Sequence, residues 1–190
     1  MNTVNVTVQD SLGFPANRRI GSQPQDILIL GGGRTVSLFF NAGGAPAGSP
    51  LLQAKLLLFQ IPCGPVRASG SGSGQYALYP LLEPIGTYSP LFAAPAIDFG
   101  RGVLFSNPRF QSCTEIDVTS IVRAWFDGSL ENNGLLLMGL GSAPCVFFAA
   151  GRYRVTGMRP TLRLTFAGEG TRVLESASCE VKILTPKPRA

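Results

Sequence analysis

The sequence predicts an all-β protein: a two-sheet antiparallel sandwich of jelly-roll type, with one short helix at about residues 119–127. Three observations point there. The 23 glycines and 15 prolines make up a fifth of the 190 residues, a density of turn formers that suits short strands and neither a helical bundle nor a disordered chain. Hydrophobic residues reach 45% against 14% charged, enough for one sizeable core at this length and too little chain for two. The apolar residues also fall in short runs, some at period two, separated by Gly, Pro, Asn and Ser.

The elements follow in order. Val4, Val6 and Val8 alternate with polar residues over Met1 to Gln9, the pattern of a half-buried strand that ends at Asp10. Asp26 to Leu30 and Arg34 to Asn41 are expected as strands joined through Gly31-Gly32-Gly33, because glycine admits the positive φ of a hairpin turn. A phosphate loop would need Lys and Ser or Thr at fixed positions beyond the glycines, and Arg34 is not followed that way. Leu51 to Phe59 is the next strand, and Ser69 to Gly74 reads as a loop or hairpin tip. After Gln75 to Leu82 the prolines at 84, 90 and 95 confine the chain to edges and loops, since proline lacks a backbone donor. Further strands are expected at Gly102 to Ser106, Thr114 to Val118, Leu135 to Leu140, Val146 to Ala150 and Thr161 to Phe166.

Ile116 to Leu137 is the densest stretch. Asp117 and Thr119 offer side-chain oxygens to cap free amides, Ile121, Val122 and Trp125 share one helical face, and Gly128 can close the C-terminus. Asn132-Asn133-Gly134 then turns the chain into the apolar run from Leu135. Trp125, the only tryptophan, is assigned to the core by its register with Ile121 and Val122 rather than to a ligand platform. Tyr76, Tyr79, Tyr88 and Tyr153 read more simply as strand or loop residues than as a platform.

The chain divides into an N-terminal strand-like extension (1–9), the sandwich (10–166) and a C-terminal strand-like basic tail (167–190). Cys179, Val181 and Ile183 repeat in the tail the alternation of Val4, Val6 and Val8, so these six residues are the candidates for assembly. Each terminal segment is able to pair within its own domain or on the open edge of a neighbour.

Net charge is +5. Residues 1–150 carry eight basic and eight acidic side chains, and 151–190 carry eight and three, so the excess lies at the end of the chain. Arg152, Arg154, Arg159 and Arg163 have mostly even spacing, as solvent-facing strand positions do, and a nucleic-acid partner is not expected. The uncharged stretch Gly134 to Gly151 is broken by Gly139, Gly141, Ser142 and Pro144, so two buried strands around a turn are expected there, not a membrane span. Met1 to Ser11 has neither the basic head nor the apolar core of a secretory leader.

Histidine is absent, which removes the usual catalytic triads and proton shuttles. Glu83, Asp98, Glu115, Asp117, Asp127 and Glu131 supply acids, but no spacing singles out a catalytic pair. Cys63, Cys113, Cys145 and Cys179 form no CxxC pair, so neither a zinc site nor another cofactor is expected. Buried thiols and disulfides both remain open.

The order of several strings carries a resemblance. Asp10, Asp26-Ile27-Leu28-Ile29, Val36 to Asn41, Leu52 to Leu56, Ile116-Asp117-Val118-Thr119, Val122, Trp125, Asn133-Gly134-Leu135 and Arg159-Pro160-Thr161-Leu162 occur in sequence. So arranged, the chain resembles the DNRLRE domains, β-sandwich modules that overlap a carbohydrate-binding module class on bacterial and archaeal surface proteins. The resemblance covers Asp10 to Phe166. It implies a surface location; the non-catalytic role follows from the missing histidine and the lack of a positioned pair of acids. The family's tryptophan-asparagine motif is missing from Tyr88 to Phe110, so no sugar-binding residue carries across. The expected function is a self-assembling structural subunit of an extracellular, cell-surface or spore-surface structure such as a filament. The alternative is a carbohydrate-binding module with a polysaccharide partner, acting as adhesin or enzyme accessory. The low charge supports the first, since an apolar surface is explained by copies that cover it.

Overall fold

The computed structural model describes residues 1–14, 23–24, 26–43, 49–61, 74–85, 95–106 and 113–168. In chain order the strands are β1 (Asn2–Thr7), β2 (Asp10–Phe14), β3 (Gln23–Pro24), β4 (Ile27–Leu30), β5 (Thr35–Phe39), β6 (Leu51–Phe59), β7 (Gln75–Pro80) and β8 (Val103–Ser106). β9 (Cys113–Asp117), the helix α1 (Thr119–Phe126), β10 (Leu135–Gly139), β11 (Val146–Ala149) and β12 (Thr161–Phe166) complete the fold. All strand pairs are antiparallel. The protein is an all-β sandwich. One sheet has the order β1-β12-β6-β9, the facing sheet β3-β2-β5-β10-β7-β8.

A third sheet departs from the two-sheet expectation. β4 leaves the six-stranded sheet and pairs with β11, Leu30 opposite Val146 through Ile27 opposite Ala149. The pair links the two large sheets, β4 lying against β2 and β5 and β11 against β6. β4 is tied to β5 by the turn at Gly32-Gly33, closed by reciprocal bonds between Gly31 and Arg34 (3.2 and 3.1 Å). β11 reaches the other sheet through a bridge from Phe148 to Gln60, with Ile61 N donating to Phe147 O at 2.9 Å. β10 and β11 are thus buried strands around a turn, but they belong to different sheets. The short strand β2, which pairs with β5, continues the chain where the sequence pattern ends the first strand at Asp10.

The core lies between the two large sheets. Val36, Leu38, Leu56, Leu58, Tyr76, Leu78, Leu135, Leu137, Leu162 and Leu164 are all buried in one cluster. Alternation puts every second residue of each strand inside, and burying a Leu of this kind contributes about 1.5–3 kcal/mol. β1 runs along β12 for its full length, from Asn2 opposite Phe166 to Thr7 opposite Thr161. Val8 is buried, and Val4 and Val6 pack half-buried against the core.

The helix seals one end. Ile121, Val122 and Ala124 are buried, and Phe126 stacks on Phe166 with ring centroids 6.2 Å apart. Trp125 packs against the core but stays half-buried, and its indole N–H is screened from water without an acceptor among the described residues. The cap differs from expectation. Asp117 Oδ1 accepts from Thr119 N (2.9 Å) and from Thr119 Oγ1 (2.6 Å). Thr119 caps no helix amide, because its Oγ1 accepts from Ala54 N of β6 at 2.9 Å. With Arg123 donating to Leu51 O and Leu52 O, this lashes the helix to the strand it crosses. The helix stops at Phe126, one residue short of the expected end, and Gly128 follows at φ 75°.

Candidate assembly surface

Sheet edges and outer faces are where this fold meets its surroundings. The outer face of the four-stranded sheet is mostly polar: Thr3, Asn5 and Thr7 of β1 stand beside Thr161, Arg163 and Thr165 of β12, then Gln53, Lys55 and the buried Leu57 of β6. Lys55 Nζ reaches Glu115 Oε2 of β9 at 2.9 Å. Such a face is suited to water. The outer face of the six-stranded sheet is not. Registers bring Leu12 and Phe14 beside Thr35, Ser37 and Phe39, then Leu136 and Met138, Ala77 and Tyr79, and finally Leu104. In a plain two-layer sandwich these positions are polar.

Part of that face is covered by the chain itself. Pro84 and Ile85 line, with Asp10, Leu12, Ser37, Phe39 and Asn133, a half-open cleft of about 200 Å³. The segments around Leu81 and Ile97 pair, and Phe99 sits edge-on to Tyr79 with centroids 5.4 Å apart. The far end stays bare. Phe99 is 74% exposed, Leu104 68% and Leu82 51%. These are three of the six large exposed hydrophobics among the described residues; Phe99 and Leu104 lie before and within β8, and Leu82 lies beyond the end of β7.

Four strands end the two large sheets, and two of them are protected. β3 is two residues long and contains Pro24, and β9 carries Glu115 and Asp117; shortness, proline and charge are the usual blocks to edge pairing. β1 (NTVNVT), six residues long, and β8 (VLFS), four, carry neither proline nor charge. Among the described residues no strand lies beyond either. β8 lies beside β9, the edge opposite β1, so the two unblocked edges are on opposite sides of the sandwich.

The register identifies the free backbone groups. Val8 N donates to Pro160 O at 2.9 Å, and the alternation of an antiparallel ladder then turns Val4 and Val6 toward β12 and Thr3, Asn5 and Thr7 toward open space. Likewise Leu140 N donates to Gln75 O at 2.9 Å, which aims Tyr76 and Leu78 at β8 and leaves Leu104 and Ser106 facing outward.

The sequence-derived candidates distribute unevenly over this surface. Val4 and Val6 lie on the free strand with their side chains turned inward, and Val8 is core. Cys179, Val181 and Ile183 lie outside the described residues, as do Cys63 and Tyr88. Asp117, Thr119, Ile121, Val122 and Trp125 form the helix junction described above. Leu104 and Phe99 were not singled out by the pattern; the signal is the unbroken apolar run Val103-Leu104-Phe105, which leaves no polar residue for an outer face.

Side-chain chemistry is local. Hydrogen bonds hold four carboxyls below their ordinary range: Asp98 through Arg101, Glu115 through Lys55, Asp117 through Thr119 and Asp127 through Ser129. A general acid needs the opposite shift. Burial, then the Glu115 charge, raises the Cys113 thiol, which favours the protonated form over a reactive thiolate. Cys113 and Cys145 are both free and half-buried. Tyr76 is wholly buried, stacks on Phe105 and donates to Pro144 O at 2.7 Å. No helix of the described residues is long and apolar enough to cross a membrane. No family model matches the chain, and no curated protein matches it.

The lowered Asp117 carboxyl gives a pH prediction. Its folded pKa lies below its unfolded value, so its stabilisation is complete above the unfolded value of about 3.9 and is lost as pH falls through the folded one. Asp117→Ala is expected to cost about 1 kcal/mol at pH 7, the usual worth of a side-chain cap. The difference from the parent should shrink in acid. Urea midpoints at neutral pH and near pH 3, followed by Trp125 fluorescence, check this; a constant difference would mean the carboxylate is not the group involved.

Proposed function

We propose that the protein is a non-catalytic structural subunit that self-assembles edge to edge into an extracellular surface structure, a filament or a cell- or spore-surface appendage. One observation carries the reading: among the described residues two strand edges, β1 and β8, have no strand beyond them, one in each sheet and on opposite sides of the sandwich. A monomer gains nothing from bare edges, whose amides invite another chain. Two of them on opposite sides let each subunit touch two neighbours, the minimum for a chain that does not close. The apolar patch at Phe99 and Leu104 and the low overall charge fit the same role. The DNRLRE-like resemblance of Asp10 to Phe166 fits a surface subunit, and the contacts between subunits are made by backbone edges rather than by the alternating valines of β1.

The test uses Asn5, whose N–H points away from β12. Proline there removes an edge donor without breaking a bond inside the sheet. Sedimentation velocity and electron microscopy should show polymers of the parent and markedly shorter species for Asn5→Pro. A parent that remains monomeric at high concentration overturns the proposal. The carbohydrate-binding alternative rests on Phe99, an exposed aromatic ring beside the Asp98–Arg101 ion pair at 2.6 Å. Retardation of a strictly monomeric protein in polysaccharide affinity gels would favour it.

A further inference from the structure

We infer that β8 is a homotypic interface: two copies pair their β8 strands antiparallel about a two-fold axis through Leu104, joining two six-stranded sheets into one. The inference rests on the assembly reading and specifies its first contact.

The register follows from the backbone. Leu104 turns its N–H and C=O to the free side, so a two-fold axis beside it lets Leu104 exchange both bonds with Leu104 of the second copy. The same register sets Ser106 opposite Gly102 of the second copy, two small residues that leave room for close approach. Val103 then faces Phe105 of the second copy on the inner side, and both are half-buried in the single chain with room to be covered further. On the outer side Leu104, 68% exposed, packs on its own equivalent. Cross-strand apolar pairs of this kind are the stabilising unit of a sheet.

Charge permits the contact. Arg101 and Asp98 neutralise each other within one chain, at 2.6 Å, and β8 itself carries no charge, so its four residues bring no like charges together. The neighbouring edge β9 is less suited, because a centred antiparallel pair there sets Glu115 against either Glu115 or Asp117 of the second copy. An isologous contact also uses one surface patch twice, so Phe99, four residues before β8, adds apolar area from both copies. With this pair formed, β1 is left free at each end of the dimer, and growth through β1 makes a chain in which two kinds of contact alternate.

Cysteine cross-linking tests the axis. In the proposed register the Cα atoms at position 104 are about 5.5 Å apart, the spacing of a hydrogen-bonded antiparallel pair, and inside the range a disulfide spans. The two positions 106 are about 13 Å apart, four residues along the strand. Mild oxidation of Leu104→Cys should give a dimer band on non-reducing gels well above the parent's, with mass spectrometry joining the two chains through position 104. Ser106→Cys should give no more dimer than the parent. Leu104→Lys, a surface change that leaves the fold intact, should shift sedimentation toward smaller species. Equal cross-linking at both positions, or none above the parent at 104, overturns the two-fold register. If that happens while the parent still polymerises, assembly proceeds through another edge. A parent that never leaves the monomer overturns both proposals.

Discussion

Gly31→Ala is expected to destabilise the protein by about 3 kcal/mol or more, since positive-φ strain and overpacking each cost roughly 1–3 kcal/mol. Gly31 has φ 91°, outside the range an L-residue accepts without strain. A Cβ at this position would also overlap Pro144 O and press on Ala143 O, which are backbone atoms and have no rotamer to escape into. The close approach is a working part of the fold: Gly32 N donates to Ala143 O at 3.0 Å, and this contact holds the β10–β11 connection against the turn between β4 and β5. Forcing the two apart loosens the small sheet that links the two large ones. Gly128 and Gly141 are the internal controls. Both have positive φ, yet a Cβ would meet nothing within 4 Å, so alanine there should cost only the strain of a left-handed backbone, about 1 kcal/mol. Thermal denaturation checks the contrast, with an expected fall in Tm of about 6–12 °C at Gly31. Equal costs at Gly31 and Gly128 would show that conformational strain alone, without the contact to Pro144, accounts for the effect.

The three glycines were legible as a turn, and this shows what sequence pattern conveys in this fold. A run of small residues between apolar runs is a local signal, and the turn at Gly32-Gly33 is local. What β4 does next is not. The run Ile27 to Leu30 pairs with Val146 to Ala149, more than a hundred residues away, and hydrophobicity alone cannot distinguish that partner from β5. β2 was hidden for a different reason. Leu12 and Phe14 are apolar but face outward from the six-stranded sheet, while Ser11 and Gly13 face inward, so the alternation there is the reverse of what a core-facing strand shows. At the helix, Asp117 and Thr119 were recognisable as polar residues at a helix start. Their division of labour, one holding the helix amide and the other the β6 backbone, depends on a strand 65 residues earlier.

The proposed assembly surface was legible only in outline. Low charge indicated that apolar surface needs covering, and Val4, Val6 and Val8 marked the first strand. Their alternation describes the inward side of β1, whereas an edge is defined by backbone groups, which all residues except proline share. Whether a strand is central or terminal is a property of topology. Only the order of strands reveals that β1 and β8 end their sheets, and only then does the lack of charge or proline in NTVNVT and VLFS acquire meaning.

Stability and assembly should therefore be separable, and Leu56→Ala is expected to show it from the other direction. Leu56 is fully buried at the centre of the four-stranded sheet, opposite Leu162 of β12 and Ile116 of β9. Strand backbones on both sides hold those neighbours in place, so they are poorly able to collapse into the space an alanine leaves. Substitutions of this kind cost about 2–5 kcal/mol, the upper part of the range applying where the site cannot relax. Against a total stability of roughly 5–15 kcal/mol for a domain, that is a large fraction. The urea midpoint should fall with little change in slope, because the surface exposed on unfolding is nearly the same. The polar outer face and both free edges lie away from Leu56, so the folded fraction of the variant should assemble as the parent does. Asn5→Pro should behave in the opposite way, keeping its urea midpoint and losing its long polymers. Loss of assembly by a still-folded Leu56→Ala would mean that the contact between subunits draws on the core and not on the edges.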